Sequence, residues 1–313
     1  MSLSVQASTH QEQDILFHNW LEITKQEAIK QGISRELVNR ALHSGLKPKK
    51  RVIKLDKKQP EKIATFEYYK HRVVNNARIK KGRKLYKENK ELLSKISKTY
   101  GVQPEFIVAL WGIETNFGTN TGGFDIVPAL VTLAYEGRRA KFFKKELFNA
   151  LKIVDNGDIT LAKLKGSWAG AMGQCQFMPS SYLSYAVDYS GDGKRDIWNT
   201  KKDVFASIAN YLSKAGWQKK ENYMQRIKFT KGFNKKWLNL KVKKTIKEWK
   251  KLGVIYADGR ELPNSFTKVS LIQPGGKGYK KYLAYDNYKA VMRWNRSLYF
   301  ATSVGALAKA IKN

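Results

Sequence analysis

One cysteine, Cys175, is too few for an intramolecular disulfide, a cysteine-built zinc site or a CxxC redox pair. Seven prolines in 313 residues, beside 42% hydrophobic and 12% aromatic residues, exclude a collagen-like or disordered chain and leave material for a sizeable core. No apolar run approaches the roughly 18 residues of a spanning helix. Met1 to His10 has neither the charged start nor the apolar stretch of an export signal, so none is expected there, and compartment stays open. All four histidines, His10, His18, His43 and His71, lie near the start, so no Cys/His or Ser/His nucleophilic pair is supported in the centre. Cys175 then reads as a small buried residue.

Acidic residues are also scarce: 26 Asp plus Glu stand against 59 Lys plus Arg, a net charge of +33. Such a protein is drawn to polyanions, whether nucleic acid, anionic lipid or acidic cell-wall polymer, and charge alone does not choose. Lysines cluster from Lys47 to Lys62 and from Lys219 to Lys251, where they interleave with Phe233, Trp237 and Trp249. Lysine stems over apolar surface with solvated heads explain this pattern, and base or sugar stacking would explain it too. No zinc-finger, RNP-like or Walker-type spacing accompanies the lysines.

From Gln11 to Tyr100 apolar residues recur at helical spacing, first Ile15, Phe17, Leu21 and Ile23, then Leu37, Val38, Ala41 and Leu42 behind a Ser34 cap. Gly32 is expected to end the first helix, Leu85 to Tyr100 to form another, and Gly101 with Pro104 to mark a stop and a new start. Beyond about Trp217, the stretches Asn222 to Phe229, Thr267 to Gln273, Lys281 to Asp286 and Lys289 to Trp294 alternate and read as strands. Lys244 to Leu252 reads as a short helix, and Leu298 to Ile311 as a longer one. The length fits about two domains, or one with insertions.

The segment PEFIVALWGIETNFG, Pro104 to Gly118, is the most informative. Pro104 suits the first helical position and Glu105 the positive helix end. Between Glu105 and Gly118 the only ionisable residue is Glu114, on the stripe of Ile107, Leu110 and Trp111. Burial there disfavours the carboxylate and raises its pKa toward that of a general acid. A glutamate held by an arginine or by a cap hydrogen bond is the alternative.

A second segment, KGSWAGAMGQCQFMPSSY from Lys165 to Tyr182, combines Gly166, Gly170 and Gly173 with the neutral Ser167, Gln174 and Gln176. It suits a sugar cleft, and a tightly packed helix pair equally well.

WGIETNFG, KGSWAGAMGQCQFMPSSY and AVDYSGDGKRDIW, in that order, resemble the lytic murein transglycosylase B family. The resemblance extends to RVIKLDKKQPE, ALVTLAYEGRRAKFFKKELFNAL, SIANYLSKAGW and RWNRSLYFA, and so covers most of the chain. It implies a mainly α, α+β protein: an N-terminal helical domain over 1–100, a lysozyme-like catalytic core over 101–217, a small β domain over 218–295, and a helix over 296–313 returning to the core. It makes Glu114 the single catalytic acid and places Ser167, Gln176 and Tyr211 in the substrate cleft. Where the family tends to carry Tyr-Asn ahead of a later Tyr, this chain has Trp294-Asn295 with Tyr299-Phe300, so Asn295 carries over, with Trp294 and Tyr299 as the aromatic contacts.

The implied reaction is non-hydrolytic cleavage of peptidoglycan between N-acetylmuramic acid and N-acetylglucosamine, closing a 1,6-anhydro ring. Hydrolytic glycosidases usually need two carboxylates. The central segment gives no second acid comparable with Glu114: Asp125 and Glu136 are the candidates, and Asp125 suits a helix cap. A hydrolytic muramidase and a basic polyanion- or nucleic-acid-binding protein remain the rivals. Implied partners are glycan strands, with other cell-wall enzymes and no nucleic acid, for a monomer. The implied location is the periplasm, any outer-membrane lipid anchor lying on a segment outside this chain.

The stretch Asp188 to Asn199 has EF-hand spacing, with Asp188, Ser190, Asp192 and Asp196 at loop positions 1, 3, 5 and 9 and Gly193 at 6. Lys194 at position 7 would give only its backbone carbonyl. Asn199 replaces the usual bidentate Glu, and Asp203 closes the loop from further along in the resembling family. The chemistry needs no cofactor, so a calcium ion here would be structural, and a plain Asp/Gly turn explains the stretch without one.

Overall fold

The computed structural model describes residues 2–57 and 65–313, with side chains from residue 14 onward. The end of the basic run Lys47 to Lys62 and the side chain of His10 lie outside the described residues. The chain forms two compact units, residues 1–61 with 118–204, and residues 62–117 with 205–313. Both are interleaved along the chain, unlike the four successive segments expected from sequence.

In the first unit, the helices Ile126–Glu136 and Ala140–Asp155 pack together. Ile126–Glu136 is apolar nearly all round and accordingly buried, whereas Ala140–Asp155 buries Phe143, Glu146, Leu147, Ala150 and Leu151 at helical spacing. Buried Glu146 is satisfied by the N–H and hydroxyl of Ser180, at 2.8 and 2.7 Å, at the start of the helix Pro179–Tyr185. A short antiparallel pair joins β1, Phe124–Asp125, to β2, Lys165–Gly166, across the two helices between them in sequence. The helices Ser2–Lys30, Arg35–Ala41 and Lys50–Lys57 complete the unit. Phe17 and Leu21 are buried as expected, but Ile15 and Ile23 are exposed. Ser34 does not cap through its side chain; its N–H and hydroxyl bind Asp155 instead. Likewise Asp125 precedes a helix but gives its carboxylate to Lys165.

The second unit joins helices to an antiparallel sheet of β3 (Met224–Phe229), β4 (Lys244–Thr245), β5 (Val254–Tyr256), β6 (Lys268–Ile272) and β7 (Lys281–Ala284), in the order β4-β6-β7-β3-β5. Ile227, Val254, Leu271 and Leu283 pack with Trp249, whose indole N–H donates to the Val269 carbonyl. Trp249 lies on the short helix Ile246–Lys251, started by a capping box between Thr245 and Glu248.

Two expectations are corrected in this unit. Lys289 to Trp294 is not a strand but the end of the helix Asp286–Trp294, because Asn287, Tyr288, Ala290 and Val291 form a buried helical face. The helix expected over Leu85 to Tyr100 breaks at Asn89, whose amide donates to the Leu85 carbonyl, giving Asn76–Glu88 and Lys90–Tyr100. Gly101 stands in the left-handed region after the second of these, and Pro104 begins the next helix, as expected.

Candidate active site

The helix Pro104–Thr115 lies against Asn76–Glu88 and Leu298–Lys312 and carries Glu114 near its C-terminal end. Ile107, Leu110 and Trp111 are buried, so the stripe is real, while Glu114 itself is half-buried. Burial pushes its carboxyl up to about 7, against the opposing effect of the Trp294 indole, whose Nε1–H donates to Glu114 Oε1 at 2.8 Å. At neutral pH such a group exists in both forms, as a residue that first gives and then takes a proton requires.

Past Thr115 the backbone hooks back. Asn116, Phe117 and Gly118 have φ of 51°, 62° and 79°, left-handed values unfavourable for the first two. The hook is held by N–H donation from Asn116 to the Gly112 carbonyl and from Phe117 to that of Trp111. The Phe117 ring lies edge-on to Trp111 and over Gly112, where a Cβ would come within 2.6 Å of it. Lys81 donates to the Asn116 carbonyl at 3.0 Å and sits 5.5 Å above the Phe117 ring.

Trp294, at the end of its helix, lies 4.7 Å from the Tyr211 ring, and the Tyr211 hydroxyl donates to the Arg293 carbonyl. Asn295 follows, exposed. Tyr299 lies against Phe66 and Tyr69. Tyr69 escaped the sequence reading: it packs on Tyr299, and burial, then the Glu114 charge, hold its hydroxyl above the usual phenol range. The aromatic cluster FEYYKH was its only sequence signal. The second unit thus brings together Glu114, Tyr69, Tyr211, Trp294 and Tyr299.

Ser167 and Gln176 belong to the first unit. The Ser167 hydroxyl accepts from Ala171 N–H and closes a turn whose glycines have no room for a side chain: a Cβ on Gly166 would meet the Ala171 carbonyl at 2.2 Å. Gln176 stands at φ 50° and donates its amide N–H groups to the carbonyls of Thr121 and Gly173. Cys175 is fully buried, with its sulfur 3.5 Å from the Val204 carbonyl, as a structural thiol would be.

In the EF-hand-like stretch, oxygens of Asp188, Asp192 and Asp203 lie within 4.8 Å of one another. Asp188 gathers the N–H groups of Gly191, Asp192 and Gly193 and the Ser190 hydroxyl; Asp203 takes those of Tyr189, Ser190 and Asp196. Three convergent carboxylates, two on a loop held in shape by its amides and Asp203 from the first turn of the helix Lys201–Lys214, fit a hard, oxygen-seeking dication. Asp196 instead accepts from the N–H groups of Trp198 and Asn199, a local turn outside that group.

Residues 16–309 match the family model described as the transglycosylase SLT domain. The chain is 32% identical over 249 residues to the membrane-bound lytic murein transglycosylase B of Escherichia coli K12, covering 78% of this chain and 66% of that protein, just under two thirds of its length. SltB3 of Pseudomonas aeruginosa, solved with NAG-anhNAM-pentapeptide, superposes at a TM-score of 0.91 with 35% identity over 95% of this chain and 80% of that one. The E. coli lytic transglycosylase Slt35 in complex with calcium gives 0.81 at 30% identity, over 93% and 92% of the two chains. The mainly α, α+β class with a lysozyme-like core is borne out by these likenesses.

Proposed function

Because the chain belongs to the transglycosylase SLT domain family, we propose that it is a peptidoglycan lytic transglycosylase, cleaving the MurNAc–GlcNAc β-1,4 bond without water to leave 1,6-anhydro-MurNAc ends. The observation that carries this reading is Glu114, a carboxyl raised to about 7 by burial and touched by one neutral donor rather than by a second carboxylate. Hydrolysis by the usual route wants a partner acid or base. Of the acids in the central segment, Glu146 is held by Ser180, Asp158 by Arg195 and Asp125 by Lys165, and Glu136 is open to solvent.

Protonated Glu114 gives its proton to the bridging oxygen as the C1–O4 bond breaks. The substrate's acetamido oxygen stabilises the cationic C1. Glu114, now a carboxylate, takes the proton of the muramic acid C6 hydroxyl, whose oxygen closes on C1. The acid is thereby regenerated and no water is consumed. Within this reading Ser167, Gln176, Tyr211, Asn295, Trp294 and Tyr299 contact sugar; Gln176 would do so through its carbonyl oxygen, since its N–H groups are spent on the backbone. The Asp188, Asp192 and Asp203 group would hold a calcium ion that braces the loop, with Ser190 and Lys194 as further oxygen donors.

A glycan substrate of this kind implies the periplasm. No helix among the described residues is long and apolar enough to cross a membrane. The test is mass spectrometry of digested sacculi. Anhydro ends that disappear with Glu114→Gln are expected, whereas reducing ends would identify a hydrolytic muramidase.

A further inference from the structure

The sheet of the second unit carries a concavity of about 440 Å³ lined by Arg226, Lys228, Lys231, Lys280 and Lys281, with no Asp or Glu among its walls. Arg226 and Lys228, two apart on β3, share one face of the sheet, and Lys281, set opposite Ile227 by the register, lies on the other; the cations meet at the end of the β3–β7 pair, with Lys231 just beyond β3 and Lys280 just before β7. Phe229 and Phe233 stack at 4.2 Å along one wall, with the Lys281 ammonium 5.0 Å above the Phe233 ring.

What marks this place is that five cations gather in one recess with no acidic side chain among its walls. Around the same sheet Lys243 is matched by Asp286, Lys250 by Glu261 and Arg260 by Asp258. None of the five cations of the concavity has such a partner among the described residues. Like charges gathered in a recess repel, and a ligand with several negative groups relieves that repulsion. Sugar hydroxyls and acetamides bring no charge, so in peptidoglycan the matching groups are the carboxylates of the peptide stems. The paired Phe rings, half-buried rather than protruding, suit aliphatic stem segments better than a flat lipid surface.

We propose that this concavity binds the carboxylate-bearing stem peptides of peptidoglycan, an inference that rests on the transglycosylase reading above. The probe is a free stem tetrapeptide, titrated into the full-length protein calorimetrically beside the same peptide with every carboxylate amidated. The free-acid peptide is expected to bind, and its affinity to fall about tenfold both on amidation and in the variant Lys228→Gln/Lys231→Gln/Lys280→Gln, as three exposed charge contacts of modest strength would give. These side chains are exposed, so an unchanged melting curve verifies the fold of the variant. Equal binding of the amidated peptide, or an unaltered affinity in the variant, overturns the proposal. So does a variant that keeps the peptide but loses adsorption to phosphatidylglycerol vesicles, which would make the recess a membrane contact. Turnover of a peptide-free glycan is followed in parallel and is expected to survive in the variant. Failure of the unsubstituted protein to form anhydro ends on that glycan would refute the enzyme reading, whatever the peptide titration gives.

Discussion

The indole of Trp294 donates to the carboxyl of Glu114 across 180 residues of sequence, at 2.8 Å. Indole N–H donates and never accepts, so it favours the ionised form of the acid and works against the burial that favours the neutral one. Trp294→Phe removes that donor while keeping an aromatic ring beside Tyr211. The Glu114 carboxyl should then rise further, and the alkaline limb of the rate profile should move up by about one pH unit, as a hydrogen bond to a charged group warrants. An unmoved limb in the pH profile of glycan turnover would place the indole outside the control of the acid.

Glu114→Gln should abolish turnover and still stabilise the fold, depending on pH. The carboxyl sits at about 7 in the folded chain against 4.5 ordinarily, so the folded state binds the proton more tightly. That advantage is complete below about 4.5 and is lost as pH rises through 7. An amide avoids the loss, so the variant should match the parent near pH 4 and exceed it by up to about 3 kcal/mol at pH 8 in denaturant titrations. The parent's rate should fall above about 7, where the proton donor is depleted.

Gly112→Ala tests the hook behind the acid. The added methyl would stand 2.6 Å from the Phe117 ring, so Phe117 must move and the left-handed pair Asn116-Phe117 must rearrange. A loss of about 1–3 kcal/mol of stability is expected, with kcat falling more than KM rises. Unaltered kinetics in the folded variant would show that the hook does not position Glu114.

Calcium should raise the melting temperature by mass action, and a chelator should lower it. Asp192→Asn should erase that response without altering the metal-free melting point, because an amide oxygen still accepts from Lys194 N–H. Asp203→Ala should also lower the metal-free melting point, since three backbone N–H groups lose their acceptor. Scanning calorimetry across millimolar calcium distinguishes these outcomes. A flat response in the parent protein would leave the loop a plain turn.

Local chemistry was legible from the chain and distant partners were not. Glu114 stood out because a carboxylate interrupted an apolar helical stripe within one segment. Its contact with Trp294 has no local signal, and Trp294 itself was expected on a strand, because Lys289 to Trp294 alternates well enough to hide the helical face of Asn287, Tyr288 and Val291. Ser34 and Asp125 occupy cap positions by sequence, yet Asp155 and Lys165, distant in the chain, claim them. Asp196 fits the loop spacing but turns its carboxylate on its own backbone, a choice that spacing does not contain.

Cys175 is the chain's only thiol and is fully buried in the first unit, beside the Val204 carbonyl. It therefore serves as a built-in stopwatch. A reagent such as dithionitrobenzoate can colour only those molecules whose first unit has momentarily opened, so the labelling rate counts openings without any introduced probe. Because the remaining chemistry of the chain is blind to that reagent, the opening of the first unit can be timed in the unaltered protein, with and without added glycan.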